Sequence, residues 1–141
     1  LRCICAAIFM LVFCTGFVIH ASAVERASPY LTRYSATVSA SNNGTIEIKI
    51  FVVANKSVSE LGASYILLEE SDDGGKTWST AREYEGQSWM IAENHSTYSR
   101  TLTYPGTIGH QYRVTAEVFA KDATGGDSRT TPTSPVVTAK R

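Results

Sequence analysis

From Tyr34 onward apolar and polar residues alternate, the period-2 signature of half-buried strands. Tyr34, Ala36, Val38 and Ala40 interleave with Ser35, Thr37, Ser39 and Ser41, and Asn42-Asn43-Gly44 then supplies the positive φ that a tight hairpin turn requires. Ile46, Ile48, Ile50 and Val52 follow, alternating with Glu47 and Lys49 until Phe51 makes the end apolar on both faces. This is the strongest core strand the pattern predicts. Ala63 to Glu70 is apolar on both faces at Tyr65-Ile66-Leu67-Leu68, which suits the middle of a sheet. Trp78 to Tyr84 and Tyr98 to Tyr104 read as shorter strands, and Pro105-Gly106 ends the second. Tyr112, Val114, Ala116, Val118 and Ala120 then alternate with Arg113, Thr115, Glu117 and Phe119. A last strand is expected to leave the turn at residues 123–127 and run to about Thr138. Pro132 and Pro135 confine it to a sheet edge, because neither has an amide proton for a central ladder.

Strands at this even spacing, with no segment of helical period and no internal repeat, predict an all-β fold, an antiparallel sandwich of about seven strands over residues 34–141. Ahead of it, residues 24–33 read as a flexible leader. The first stretch, LRCICAAIFMLVFCTGFVIHASA, carries Arg2, an apolar run from Ile4 to Ile19 and a small-residue close at Ala21-Ser22-Ala23. That is the pattern of a secretory signal peptide, residues 1–23, cleaved after Ala23. The run is shorter than the roughly 20 residues of a spanning helix, so no stable membrane insertion is expected after cleavage. Phe13 before Cys14 argues against lipidation. The expected destination is outside the cell, secreted or loosely held at its surface.

Composition narrows the chemistry. The three cysteines, Cys3, Cys5 and Cys14, all lie in the signal segment. The mature chain therefore has no disulfide, thiol nucleophile or thiolate metal ligand, which tilts the reading toward a bacterial exported protein. Lys plus Arg equal Asp plus Glu at 13 each, and loss of Arg2 leaves one net negative charge with no run of either sign. Nothing would steer nucleic acid or an anionic membrane. Three sequons, at Asn43, Asn55 and Asn94, would be glycosylation acceptors only in a eukaryote.

The segment Leu102-Thr-Tyr-Pro-Gly-Thr-Ile-Gly-His-Gln-Tyr112-Arg-Val114-Thr-Ala116-Glu-Val118 resembles the E–F corner and F strand of fibronectin type III domains. The resemblance implies a fibronectin type III or immunoglobulin-like sandwich with Tyr112 as the corner tyrosine, its hydroxyl bonded to an upstream backbone group. The second strand lacks the tryptophan of that family. The pattern running from Pro29-Tyr30-Leu31 through Gly62-Ala63, Asp73 to Trp78 and Tyr112-Arg113 to Asp127-Ser128-Arg129 also resembles an uncharacterised family of small secreted proteins from Gram-positive gut bacteria (Bacillota), which brings no assigned activity.

Ser71-Asp-Asp73-Gly-Gly75-Lys-Thr77-Trp78 matches the Asp-box pattern Ser-x-Asp-x-Gly-x-Thr-Trp. In such a turn Asp bonds the amides ahead of it, Gly takes the left-handed conformation, and Trp buries its face while its N–H finds a partner. The box recurs in the blades of sialidase-like propellers, away from their catalytic centres. Here it occurs once, in a chain too short for repeated four-stranded blades, so Ser71, Asp73, Gly75, Thr77 and Trp78 read as a structural turn.

No metal or other cofactor is expected. The acids around Asp73 lack the spacing of a calcium loop, and His95 and His110 stand in no ligand spacing. No Gly-x-Ser-x-Gly elbow occurs, and Glu83, Glu85, Glu93 and Glu117 read as a solvated face pairing with Arg82, Arg100 and Arg113. The feature suited to recognition is Trp89 between strands, with Tyr84 and Tyr98 near it, either as a ligand surface or as a cap on the core. The reading is a non-enzymatic module that meets a glycan or an envelope or host protein. Pairing through edge strands and, further off, a carbohydrate-active protein are the alternatives.

Overall fold

A computed structural model describes residues 28–141, so the segment 1–23 read as a signal peptide, with its expected cleavage site, lies outside the described residues. The described chain is nearly all strand. In order come β1 (Leu31–Ala40), β2 (Thr45–Ser71), β3 (Ser79–Glu85), a 3-10 turn (Ser88–Met90), β4 (Ile91–Pro105), β5 (Gln111–Asp122), β6 (Gly125–Thr130) and β7 (Val137–Thr138). All pairings are antiparallel, and all seven strands join in one curled sheet.

The sheet becomes a sandwich because β2 belongs to both layers. Its first half pairs with β1 on one side and β4 on the other. Its second half pairs with β3 and β5, and β5 carries β6 and β7. The alternation therefore does its work twice on one strand. Ile46, Ile48, Ile50 and Val52 lie wholly buried in the first layer, and Leu61, Ile66 and Leu68 in the second, against Tyr112, Val114 and Val118 of β5.

The pattern predicts separate strands at 46–52 and 63–70; the structure joins them. Asn55, Lys56 and Ser57, which read as a polar connection, are the exposed bulge where β2 turns over. Across that bulge the register with β4 jumps from Val53↔Thr97 to Val58↔His95. Just beyond, Gly62 lets β2 pass against the 3-10 turn, since a Cβ there would sit 1.9 Å from the Met90 carbonyl oxygen. The last predicted strand is instead divided. Residues 131–136 leave regular pairing at Pro132 and Pro135, and two hydroxyls take over. Thr131 Oγ1 accepts the Ala116 N–H at 3.0 Å and Ser134 Oγ accepts that of Val114 at 3.0 Å. A count of seven is thus reached by one fusion and one division.

The leader also ends earlier than the pattern implies. β1 begins at Leu31, which is buried, and the Tyr30 hydroxyl reaches Asp122 and Thr124 on the β5–β6 turn. Lys56 pairs with the same Asp122 at 2.8 Å. At the other end of β1, Asn43 (φ 59) and Gly44 (φ 74) form the expected two-residue turn, closed by the Thr45 N–H on the Asn42 carbonyl.

Candidate functional site

Three constellations bring together the residues singled out by sequence. The first is the turn between β2 and β3. Asp73 Oδ1 accepts the amide protons of Lys76 (3.0 Å) and Thr77 (2.9 Å) and the hydroxyl of Ser71 (2.8 Å), while Oδ2 accepts the Thr77 hydroxyl (2.6 Å). These bonds, the Thr77 hydroxyl foremost, hold the Asp73 carboxyl at about 2, well below the usual range. Ser71, buried at the end of β2, accepts the Gly75 N–H at 2.8 Å. Trp78 gives its indole N–H to the Gly75 carbonyl at 3.2 Å.

The Trp78 ring does not enter the core. It lies on the outer face under the Arg113 guanidinium, 4.2 Å from the ring centroid, and Arg113 is held in turn by two hydrogen bonds to Glu69, at 2.7 and 3.0 Å. Every polar group of Asp73 is spent inside the turn. Among the described residues no three His, Cys, Asp or Glu side chains gather closely enough to hold a metal ion.

The second constellation is the corner between β4 and β5. Tyr112, fully buried, accepts the Thr107 amide proton at 2.8 Å and gives its own proton to Glu70 Oε1. Burial first, and the Glu70 bond second, push the Tyr112 phenol up to about 12. His110 Nδ1 approaches the same carboxylate oxygen at 2.7 Å. Glu70 thus ties the end of β2 to two residues of the corner, a role the sequence did not disclose because the partners lie some forty positions away.

Of the carboxylates considered for acid–base work, Glu83 and Glu85 border one open cleft at the β3 edge, and Glu93 and Glu117 lie outside it. Glu85 and Glu117 flank Tyr65 on neighbouring strands of the open outer face, and Glu83 Oε1 accepts the Tyr65 hydroxyl at 2.6 Å. Glu93 lies on β4, opposite Glu60 of β2.

The third constellation closes the seam between β3 and β4, the edge strands of the two layers. Tyr84 faces inward opposite Ile66, and Trp89 descends from the 3-10 turn to meet it edge-on, with centroids 5.7 Å apart and planes at 74°. Both are half-buried and packed on the core. Tyr98, the third aromatic, is instead buried at 6% exposure, so it offers no surface. Its hydroxyl donates to the Trp89 carbonyl at 3.1 Å and fixes the turn from below.

Two arginines complete the seam. Arg82, opposite Leu68, and Arg100, opposite Ile50, stand on inward-facing positions of their edge strands but reach solvent. Arg82 lies 5.5 Å from the Tyr84 centroid and Arg100 5.2 Å from that of Trp89. Beside them is an open cleft of about 450 Å³ lined by Arg82, Glu83, Tyr84, Glu85, Gln87 and Trp89. Sequence placed these arginines on a solvated face; the register of β3 and β4 carries them to the seam.

The sequon asparagines have structural uses. Asn43 and Asn94 are the non-glycine positions with positive φ among the described residues, a conformation Asn tolerates better than most side chains, and Asn55 donates to the Pro29 carbonyl at 2.6 Å. No described helix is long and apolar enough to cross a membrane. Compared with models of known protein families and with curated proteins, the chain matches none.

Proposed function

We propose that this is an exported, non-enzymatic β-sandwich module that meets a glycan or an envelope or host protein through the seam at Tyr84 and Trp89. The observation that carries the reading is the cleft itself. It is open, is walled on one side by an aromatic pair, and is held in shape by the Tyr98 bond to the Trp89 backbone. The signal-like start of the sequence supports export. The layering of β1-β2-β4 on β3-β2-β5-β6, with a corner tyrosine bonded to Thr107, supports kinship of form with fibronectin type III domains.

The test is solid-phase binding of the folded protein to immobilised glycans and envelope proteins, with Trp89→Ala alongside. Loss of a bound partner in the variant, with its circular dichroism unchanged, is the expected result. A variant that binds like the parent sinks the seam as the site.

Pairing through edge strands is the second reading, favoured by β1, whose ten residues contain no proline and pair on one side with β2 alone. It predicts self-association, and light scattering that finds only monomer over a wide concentration range removes it. The β3 and β4 edges argue against it, since inward arginines on edge strands deter strand addition.

A further inference from the structure

We propose that Arg82 and Arg100, splinted by Tyr84 and Trp89, form a recognition fork for an anionic saccharide, one that carries a ring carboxylate among its hydroxyls. This deepens the seam reading given above and rests on it. Two other arginines are committed. Arg113 is held by Glu69 and Arg129 by Asp127. Arg82 and Arg100 make no hydrogen bond or ion pair among the described residues, and their guanidiniums rest against the two rings of one aromatic pair. A stacked guanidinium keeps its five N–H donors in its own plane, directed outward from the ring, and loses little further freedom when it grips a carboxylate. Arg82 lines the cleft and Arg100 stands over the Trp89 ring that walls it, so both are pre-organised for an anion beside that aromatic pair.

The same geometry speaks against a neutral sugar. Arg100 already lies over the Trp89 ring, so the face on which an uncharged pyranose would stack is taken. The cleft also speaks against a densely charged polyanion such as an acidic peptide. Glu83, Glu85 and Gln87 share its lining, and their oxygens would repel closely spaced carboxylates but accept hydroxyl protons. A saccharide with one carboxylate per ring satisfies both demands.

Guarding the β3 and β4 edges is the competing role for these arginines, and it needs only charge. Lysine separates the two, because it keeps the charge and loses the planar fork. The experiment is calorimetric titration of the intact protein with oligogalacturonate, with the same oligomer fully methyl-esterified, and with polyglutamate. Parent protein is expected to bind the acid form, more weakly as salt rises, and not the ester or polyglutamate. Arg82→Lys or Arg100→Lys is expected to weaken binding about tenfold and the double variant to abolish it, with melting temperature unchanged. Absence of binding to the acid form, equal binding of the ester, equal binding of polyglutamate, or a double lysine variant that binds like the parent would each overturn the inference. Ester binding that disappears in Trp89→Ala would overturn it while leaving the seam as the site.

Discussion

Thr77 is bound to Asp73 twice, through its amide proton at 2.9 Å and its hydroxyl at 2.6 Å, one bond to each carboxylate oxygen. With Ser71 and Lys76 on the same side chain, a single residue closes the turn that delivers β3 to the sheet. Asp73→Ala therefore lowers the melting temperature by a few degrees at neutral pH, as loss of a capping side chain does. The difference carries a pH signature. The carboxyl titrates at about 2 when folded against an ordinary 3.8, so its contribution is complete above pH 4 and is lost as pH falls toward 2. Melting curves of parent and variant, apart at pH 6, converge across that window. A gap that persists at pH 2 contradicts the assignment.

Alkali probes the other end of the scale. Tyr65, Tyr98 and Tyr112 are all raised to about 12, Tyr65 chiefly by its bond to Glu83 and the other two chiefly by burial. A raised phenol favours the folded state below the ordinary value of 10 and loses that advantage as pH climbs through 12. Absorbance titration should show three of the seven tyrosines ionising late, with unfolding close behind. In Tyr112→Phe the late group falls to two. That variant also strands the Thr107 N–H and is destabilised by roughly 1–3 kcal/mol in urea unfolding.

Gly62→Ala should be among the costliest single changes. The new methyl would meet the Met90 carbonyl at 1.9 Å, and backbone on both sides must move to admit it. A loss of at least about 2 kcal/mol, or failure to fold, is the expected outcome of denaturant titration. A fully stable variant would mean that β2 does not pass so near the 3-10 turn.

Removal of the two hydroxyls that replace the interrupted edge is a gentler test. Thr131→Val and Ser134→Ala each leave a buried β5 amide unpaired, that of Ala116 or Val114, at roughly 1–3 kcal/mol apiece. Hydrogen exchange at these two amides quickens in the matching variant. Equal exchange in parent and variant would assign the protection to the backbone alone.

How far the sequence discloses this fold depends on whether the deciding contact is local. The β1–β2 hairpin is legible because alternation and Asn43-Gly44 both act within a few residues. The Asp73 turn is legible for the same reason, its bonds spanning two to four positions. The continuity of β2 is not legible, because Asn55-Lys56-Ser57 carries the composition of a loop and only its surroundings keep it in the strand. Trp78 is half legible. Its N–H finds the expected neighbour, but the ring's outward position depends on Arg113, far along the chain. At the seam, Trp89 stands out by type, whereas Arg82 and Arg100 are ordinary exposed arginines until two strand registers place them beside one aromatic pair.

Because β2 is the spine of both layers, neither layer can be completed early. Its partners arrive in stages: β1 is already present, β4 comes later, and β5, which covers the second half, is last of the central strands. Until residues 111–121 have emerged and docked, Ile66 and Leu68 lack their β5 neighbour, and the isoleucine row of the first half faces an unfinished second layer. The nascent chain therefore holds its most aggregation-prone surface open for the longest time, and folding waits on pairings distant in sequence. Any chaperone that holds the chain before β5 docks must cover that row.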